Sequence, residues 1–200
     1  MIDFTLYTAD ISGDSSNCVY PNKMHITDSA SFVDAIKHDH VCALYKNNYR
    51  SNDNFISTDV LPMDCDNDHS EDSKDWIYPL DVVMAFPEVP FIASFSRNNM
   101  KIKNGKDARP KFHVYFPIPT MTDGKAYADL KKRIQEFFPY FDEDALGEAR
   151  FFYGTDSPDV EVYDGTSNVS DFMNYDDFAD FDASTEEISE GSRNSTMSHI

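Results

Sequence analysis

Hydrophobic positions along the chain follow two periods, near 3.6 in some stretches and 2 in others, and these lay out the expected elements. "TDSASFVDAIKHD" opens with capping residues and sets Phe32, Val33 and Ile36 at helical spacing, predicting a helix over about 29–38. "TDGKAYADLKKRIQEFF" is the clearest helix, with Tyr127, Leu130, Ile134 and Phe137 on one face and Asp123 near its start. A further helix is expected over 79–86, with Pro79 in its first turn. Strands are expected at "VCALYK", "VLPMDCD", "PFIASFSR", "KFHVYFPI" and "ARFFYGT", whereas residues 47–59 read as polar and turn-rich. "PFIASFSR" and "KFHVYFPI" bracket a polar stretch containing Asn104-Gly105, the signature of a hairpin with a long tip.

Composition bounds this layout. Two hundred residues, 40% hydrophobic with 16 Phe and 11 Tyr, suit one domain or one domain plus a tail. The sequence contains no run of 18 apolar residues and its start lacks the basic and apolar regions of a signal peptide, so a cytoplasmic protein with no membrane partner is expected. Cys18, Cys42 and Cys65, odd in number and widely spaced, read as reduced core thiols; neither C-x-x-C nor G-x-x-x-x-G-K-[ST] occurs.

A net charge of -19 argues at first against nucleic acid as a partner. The average conceals an island: Arg97, Lys101, Lys103, Lys106, Arg109 and Lys111 fall between 97 and 111 against the single acid Asp107. Taken alone, such a run reads as a solvated loop. Beyond about 165 the character changes, with eight acids and no base over 171–190. A folded domain over 1–168 and an acidic linker or tail over 169–200 are expected, although Phe172, Met173, Tyr175, Phe178 and Phe181 could dock back on the domain.

Strand alternation sorts the polar residues. In "LPMDCDNDHS", Met63 and Cys65 point to the core and Asp64 and Asp66 together to the other face, a hard-oxygen site suited to Mg²⁺ or Mn²⁺. An isolated D-x-D fits an acidic turn better, with Asp68 and His69 either as solvated turn groups or as supports behind the metal ligands, and Trp76 as core or interface. "ARPKFHVYFP" shifts that balance. Phe112, Val114 and Phe116 should face inward, leaving Lys111, His113 and Tyr115 on the opposite face, where cations suit an anion such as triphosphate. Paired carboxylates beside such a surface are what phosphoryl transfer requires.

"DCDNDHS", "SRNNMKIKNGKDARPKFHVYFP", "FPYFDEDALGEARFFYG" and the closing "EGSRNSTMSHI" together resemble the catalytic domain of the archaeo-eukaryotic primase (primase-polymerase) superfamily, in the form carried by phage and mobile-element replication proteins. The resemblance covers roughly 40–165. It implies an α/β (α+β) fold, an RRM-like catalytic module packed beside an N-terminal α/β unit with the active site in the cleft between them. It makes Asp64 and Asp66 metal ligands, and His113 a contact of the incoming nucleotide's phosphates, with Lys111 standing where a small residue is more usual. It places the third metal ligand at Asp142, with Asp144 as the alternative, and gives Arg150 a contact to nucleotide or template.

The function implied by this resemblance is that of a template-dependent nucleotidyltransferase, a DNA primase or primase-polymerase, using two Mg²⁺ or Mn²⁺ ions. Asp64, Asp66, His113 and Asp142 would be catalytic; Ser96, Arg109, Lys111, His113 and Arg150 would bind nucleotide phosphates. Arg97, Lys101, Lys103 and Lys106 would track a single-stranded DNA template or primer. NTP or dNTP would be the substrate, and "EGSRNSTMSHI", similar to the opening of the helical domain that precedes a helicase, implies either a fragment of a larger replication protein or a naturally short relative, with a helicase or replisome partner. A metal-dependent nuclease or phosphoesterase could use the same groups. A non-catalytic relative binding nucleic acid or protein is the other alternative.

Overall fold

The structure, a computed structural model, describes residues 2–102, 105 and 107–179, with side chains described as far as 174. Lys103, Lys106 and the stretch 180–200, including Phe181 and "EGSRNSTMSHI", lie outside the described residues, as do the side chains of Tyr175 and Phe178.

Two antiparallel sheets and four α-helices make up the described chain. The first sheet has the order β2-β1-β3-β8, from β1 (Phe4–Thr8), β2 (Asn22–Ile26), β3 (His40–Val41) and β8 (Phe151–Phe152). The second has the order β4-β5-β7-β6-β9, from β4 (Ala43–Tyr45), β5 (Phe55–Cys65), β6 (Phe91–Phe95), β7 (Phe112–Met121) and β9 (Val160–Tyr163). Strand β6 returns as β7 in an antiparallel hairpin with Phe95 opposite Phe112. β5 begins at Phe55, inside the stretch expected to be turn-rich, because its first residues are recruited as partners of β4 rather than by their own alternation.

Helix ends follow local chemistry. Asp28 caps α1 (Ser29–Ile36), accepting from the Ser31 amide at 2.8 Å while the Ser31 hydroxyl accepts from the Asp28 amide. Pro79 opens α2 (Pro79–Ala85), and Asp123 caps α3 (Gly124–Phe137) through the Ala126 amide at 3.1 Å. Helix α4 (Val169–Ala179) lies past the boundary expected at 168, yet Val169 and Met173 are buried in the domain core and Phe172 packs on Phe86 and Phe137. Val169 and Met173, one turn apart, seat this acidic segment on α3 and β7 together with Phe172.

The five-stranded sheet is covered on both faces. On one, Met63 and Cys65 of β5 and Phe112, Val114 and Phe116 of β7 pack with Val82, Phe86, Tyr127 and Ile134 from α2 and α3. Each such side chain contributes about 2 kcal/mol by leaving water. On the other face, Val60, Ile92 and Tyr115 meet α1 and the first sheet, with the Tyr115 and Phe32 rings 5.0 Å apart. Tyr115 thus shares the face of His113, as the alternation requires, but the first sheet closes over it. Toward Asp64 that cover ends, and a cleft opens between the two sheets. No helix among the described residues is long and apolar enough to cross a membrane.

Candidate active site

β5 and β7 run side by side with Asp64 directly opposite His113, so the two side chains leave the sheet on one face. Ser94 of β6 continues the row beside His113. The cleft above them has a volume of about 220 Å³ and is lined by Asp64, Asp66, Lys111, His113 and, across from them, Arg150 and Tyr153. Ser96 and Arg97, from the turn after β6, form its end wall.

Asp64 is 4% exposed. One of its carboxylate oxygens, Oδ2, accepts from the Arg150 guanidinium; the other, Oδ1, is buried with no hydrogen-bond partner among the described residues. A buried carboxylate oxygen left bare is costly, of the order of 1–3 kcal/mol, and is available to accept from a water or to coordinate a cation. Asp66 is more open and pairs with the Lys111 ammonium at 3.0 Å. The side chain of Lys111 is 9% exposed, and it also reaches toward Asp68 at 3.7 Å. The acids of the D-x-D pair are therefore each balanced by one cation.

His113 is lined by the edge of the Phe152 ring, 4.8 Å between centroids. Burial holds its imidazole below the ordinary histidine range, and the Asp64 carboxylate opposes this only in part. Asp142 lies at the turn after α3, where its amide donates to the Asp64 carbonyl at 2.9 Å and its carboxylate accepts from the Asp144 amide at 2.9 Å. Burial raises its affinity for a proton, the Asp144 amide opposes this, and the charges of Asp64 and Asp66 add to the rise. Its side chain lines a separate hollow of about 340 Å³ with Asp66, Asp68, His69 and Asp144, so Asp66 stands between the hollow and the cleft. Asp144 is exposed.

Hard carboxylate oxygens, one of them buried and unsatisfied, suit a divalent cation at Asp64 and Asp66. As the side chains stand, no group of three or more His, Cys, Asp or Glu among the described residues is gathered closely enough to hold an ion. Arg150 and Lys111 occupy the carboxylates instead.

Other expected site residues divide. Ser96, Arg97, Lys111, His113 and Arg150 meet in the cleft, and Lys101 lines a neighbouring cavity while donating to the Arg97 carbonyl at 2.7 Å. Arg109 does not join them. Its side chain is 1% exposed, and its guanidinium donates to the Asn67 carbonyl at 2.9 Å, to Glu71 at 2.7 Å and to the Ser70 and Asp107 carbonyls. It is the internal pin of the 67–71 loop, not a free phosphate contact. His69 donates to the Asp75 carbonyl and Trp76 to the Ser70 carbonyl, so both also serve this loop.

Two participants are not evident from the sequence. Tyr153, an aromatic three residues after Arg150, lies under the Arg97 guanidinium. Lys131, fully buried on α3, donates to the Ala145 carbonyl at 2.8 Å and the Gly147 carbonyl at 3.4 Å, bracing the segment between Asp142 and Arg150. Burial holds its ammonium down to about 8. Only its position on the apolar side of α3, beside Tyr127 and Ile134, hints at this role in sequence.

No protein-family model matches the chain, and no curated protein matches it. Among solved structures, the fold is similar to that of the AEP domain of the primase-polymerase (PrimPol) of cyanophage S-2L, with 14% identity and a TM-score of 0.46 over 86% of this chain and 88% of that one.

Proposed function

We propose that the chain is a nucleotidyltransferase of the primase-polymerase type, joining nucleotides on a single-stranded DNA template in the cleft between its sheets. The observation that carries this reading is the Asp64–His113 pair, with a bare buried carboxylate oxygen on one strand and an imidazole directly opposite it on the next, facing Lys111 and Arg150. The run β5–α2–β6–β7–α3, with the central order β5-β7-β6, is the part read as RRM-like.

Mg²⁺ or Mn²⁺ held by Asp64 and Asp66, with Asp142 as the third acid, would neutralise the triphosphate and acidify the attacking 3′-hydroxyl. The remaining roles belong to side chains. His113 orients a phosphate oxygen at the strand face through a ring N–H, which donates in either protonation state. Arg150, whose side chain is 40% exposed, has room to leave Asp64 and pair with phosphate oxygens; Lys111 stays anchored and offsets charge from a fixed point. Lys131 holds the 145–147 carbonyls, and through them the spacing of Asp142 and Arg150. Catalysis then rests on positioning and charge compensation, with no covalent enzyme intermediate. Arg97 and Lys101 border the route by which a template strand would leave the cleft, and Lys103 and Lys106 extend that basic stretch in sequence.

A labelled primer on a template separates this reading from a hydrolytic one. Extension that needs NTP or dNTP and Mn²⁺ or Mg²⁺ supports it. Shortening of the DNA by metal without nucleotide would assign the same groups to a nuclease.

A further inference from the structure

Arg97 stands where two cavities meet. On one side is the cleft with Asp64 and His113; on the other a second cavity of about 490 Å³ opens between the 96–101 turn and the 154–159 segment. The Arg97 guanidinium carbon lies over the Tyr153 ring, 3.8 Å from its centroid, within cation–π distance of the aromatic face. Arg97 is exposed, which leaves the face turned away from Tyr153 open to a ligand.

Both halves of this stack are fixed beforehand. The turn that carries Arg97 is held by the Ser96 amide on the Lys111 carbonyl at 2.8 Å, the Asn99 amide on the Ser96 carbonyl at 2.8 Å and the Lys111 amide on the Asn99 side chain at 3.1 Å. Tyr153 is followed by Gly154, whose amide donates to Asp39 at 2.7 Å and whose Cα sits so close to the Lys37–His38 main chain that any side chain would collide with it. A ligand that stacks there therefore loses its own freedom but little of the protein's.

We propose that the Arg97–Tyr153 stack is a platform for a single nucleobase, a role that rests on the nucleotidyl-transfer reading of the cleft. A phosphate or a metal ion gains nothing from the flat face of a guanidinium, whereas a base matches it in shape and polarisability. The cations Lys111 and Arg150 and the imidazole of His113 lie toward Asp64, so a nucleotide with its phosphates among them extends past Arg97 toward the second cavity. There Asn99, Thr155 and Ser157 supply donors and acceptors, and Asp156 and Asp159 supply acceptors, for the edge of a base. The base can belong to a free nucleotide or to a DNA strand.

Calorimetric titration in the presence of Mn²⁺ tests this with ATP, inorganic tripolyphosphate and a short mixed-sequence single-stranded oligodeoxynucleotide. The variants are Arg97→Lys, which keeps the charge and loses the plane, and Tyr153→Ala, which removes the support. Both variants are expected to bind tripolyphosphate as the parent does while losing about tenfold in affinity for a base-bearing ligand. Loss with ATP assigns the platform to a free nucleotide; loss with the oligonucleotide alone assigns it to a strand. Unchanged affinity for both in Arg97→Lys would overturn the proposal, as would an equal loss with tripolyphosphate, which would make Arg97 a phosphate contact. Failure of the parent protein to bind any of the three would overturn the nucleotidyl-transfer reading, and the platform with it.

Discussion

Arg109 and Arg150 both pair with carboxylates of the 64–71 segment, and they do so in opposite ways. Around Arg109 the loop is closed: every guanidinium nitrogen finds a carbonyl or carboxylate and the side chain is sealed from water. Around Arg150 the cleft is open: the side chain is 40% exposed, and the carboxylate it meets keeps one buried oxygen with no partner among the described residues. A buried guanidinium with every nitrogen satisfied specifies structure, whereas a half-exposed one on a carboxylate with a bare oxygen is placed to exchange partners. The two arginines thus separate the part of this acidic segment that builds the domain from the part that lines the open cleft, where the proposed function puts the ligand.

If that division holds, mutations should fail differently on its two sides. Replacing Asp64 and Asp66 together by Ala should lower primer extension by about 10³-fold or more while leaving the far-UV circular dichroism spectrum intact, because the open side contributes charge and not packing. Arg109→Met should do the reverse. The buried Asn67 carbonyl and the Ser70 carbonyl lose their donor while the exposed Glu71 carboxylate is rehydrated, so urea unfolding should show a loss of roughly 3 kcal/mol, with the protein that remains folded still binding tripolyphosphate.

A third test reads the closed side by pH. His40 is buried between the sheets, with Nδ1 donating to the His38 carbonyl at 3.0 Å and Nε2 accepting from the Tyr115 hydroxyl at 2.9 Å. Burial depresses its folded value from 6.5 to about 4. The unfolded chain therefore takes up a proton that the native ring refuses: this contribution is complete above pH 6.5 and is lost as pH falls through 6.5 toward about 4. The loss amounts to roughly 3 kcal/mol. His113 is shifted in the same direction and the carboxylates titrate nearby, so the isolating measurement is the difference in urea midpoint between the parent and His40→Gln at pH 7.5 and pH 4.5. The parent should lose more stability across that interval.

The smallest effect belongs to Arg150→Gln. With its competing cation gone, Asp64 should bind Mn²⁺ about fivefold more tightly by calorimetry, even as nucleotide affinity falls. Weaker Mn²⁺ binding would mean that the arginine supports the metal site rather than competing for it.

The open side is more legible in the sequence than the closed one. Alternation in β5 and β7 places Asp64, Asp66, Lys111 and His113 on one face without any tertiary information, since neighbouring strands with a shared core face must turn their polar residues the same way. Arg109 misleads for the same reason that it matters. It sits in a cationic run, and only the fold of the 67–71 loop, about forty residues earlier, shows that its donors are already taken. The Asp64–Arg150 pair spans 86 residues and depends on β8 joining the first sheet rather than the second, which no local pattern records. Strands β1 and β2 leave little trace, since β2 is mostly exposed and carries little alternation of its own. Helix α4 is hidden by its acids, although the spacing of Val169 and Met173 carries the signal.

The most direct test is a crystal structure of the chain with Mn²⁺ and a non-hydrolysable nucleoside triphosphate. The expected result is an anomalous peak between Asp64 and Asp66, the Arg150 guanidinium withdrawn from Asp64, and phosphate density against His113. A peak confined to the hollow around Asp142 and Asp144, with Arg150 still on Asp64 and no phosphate beside His113, would contradict the assignment of the cleft as a nucleotidyl-transfer site.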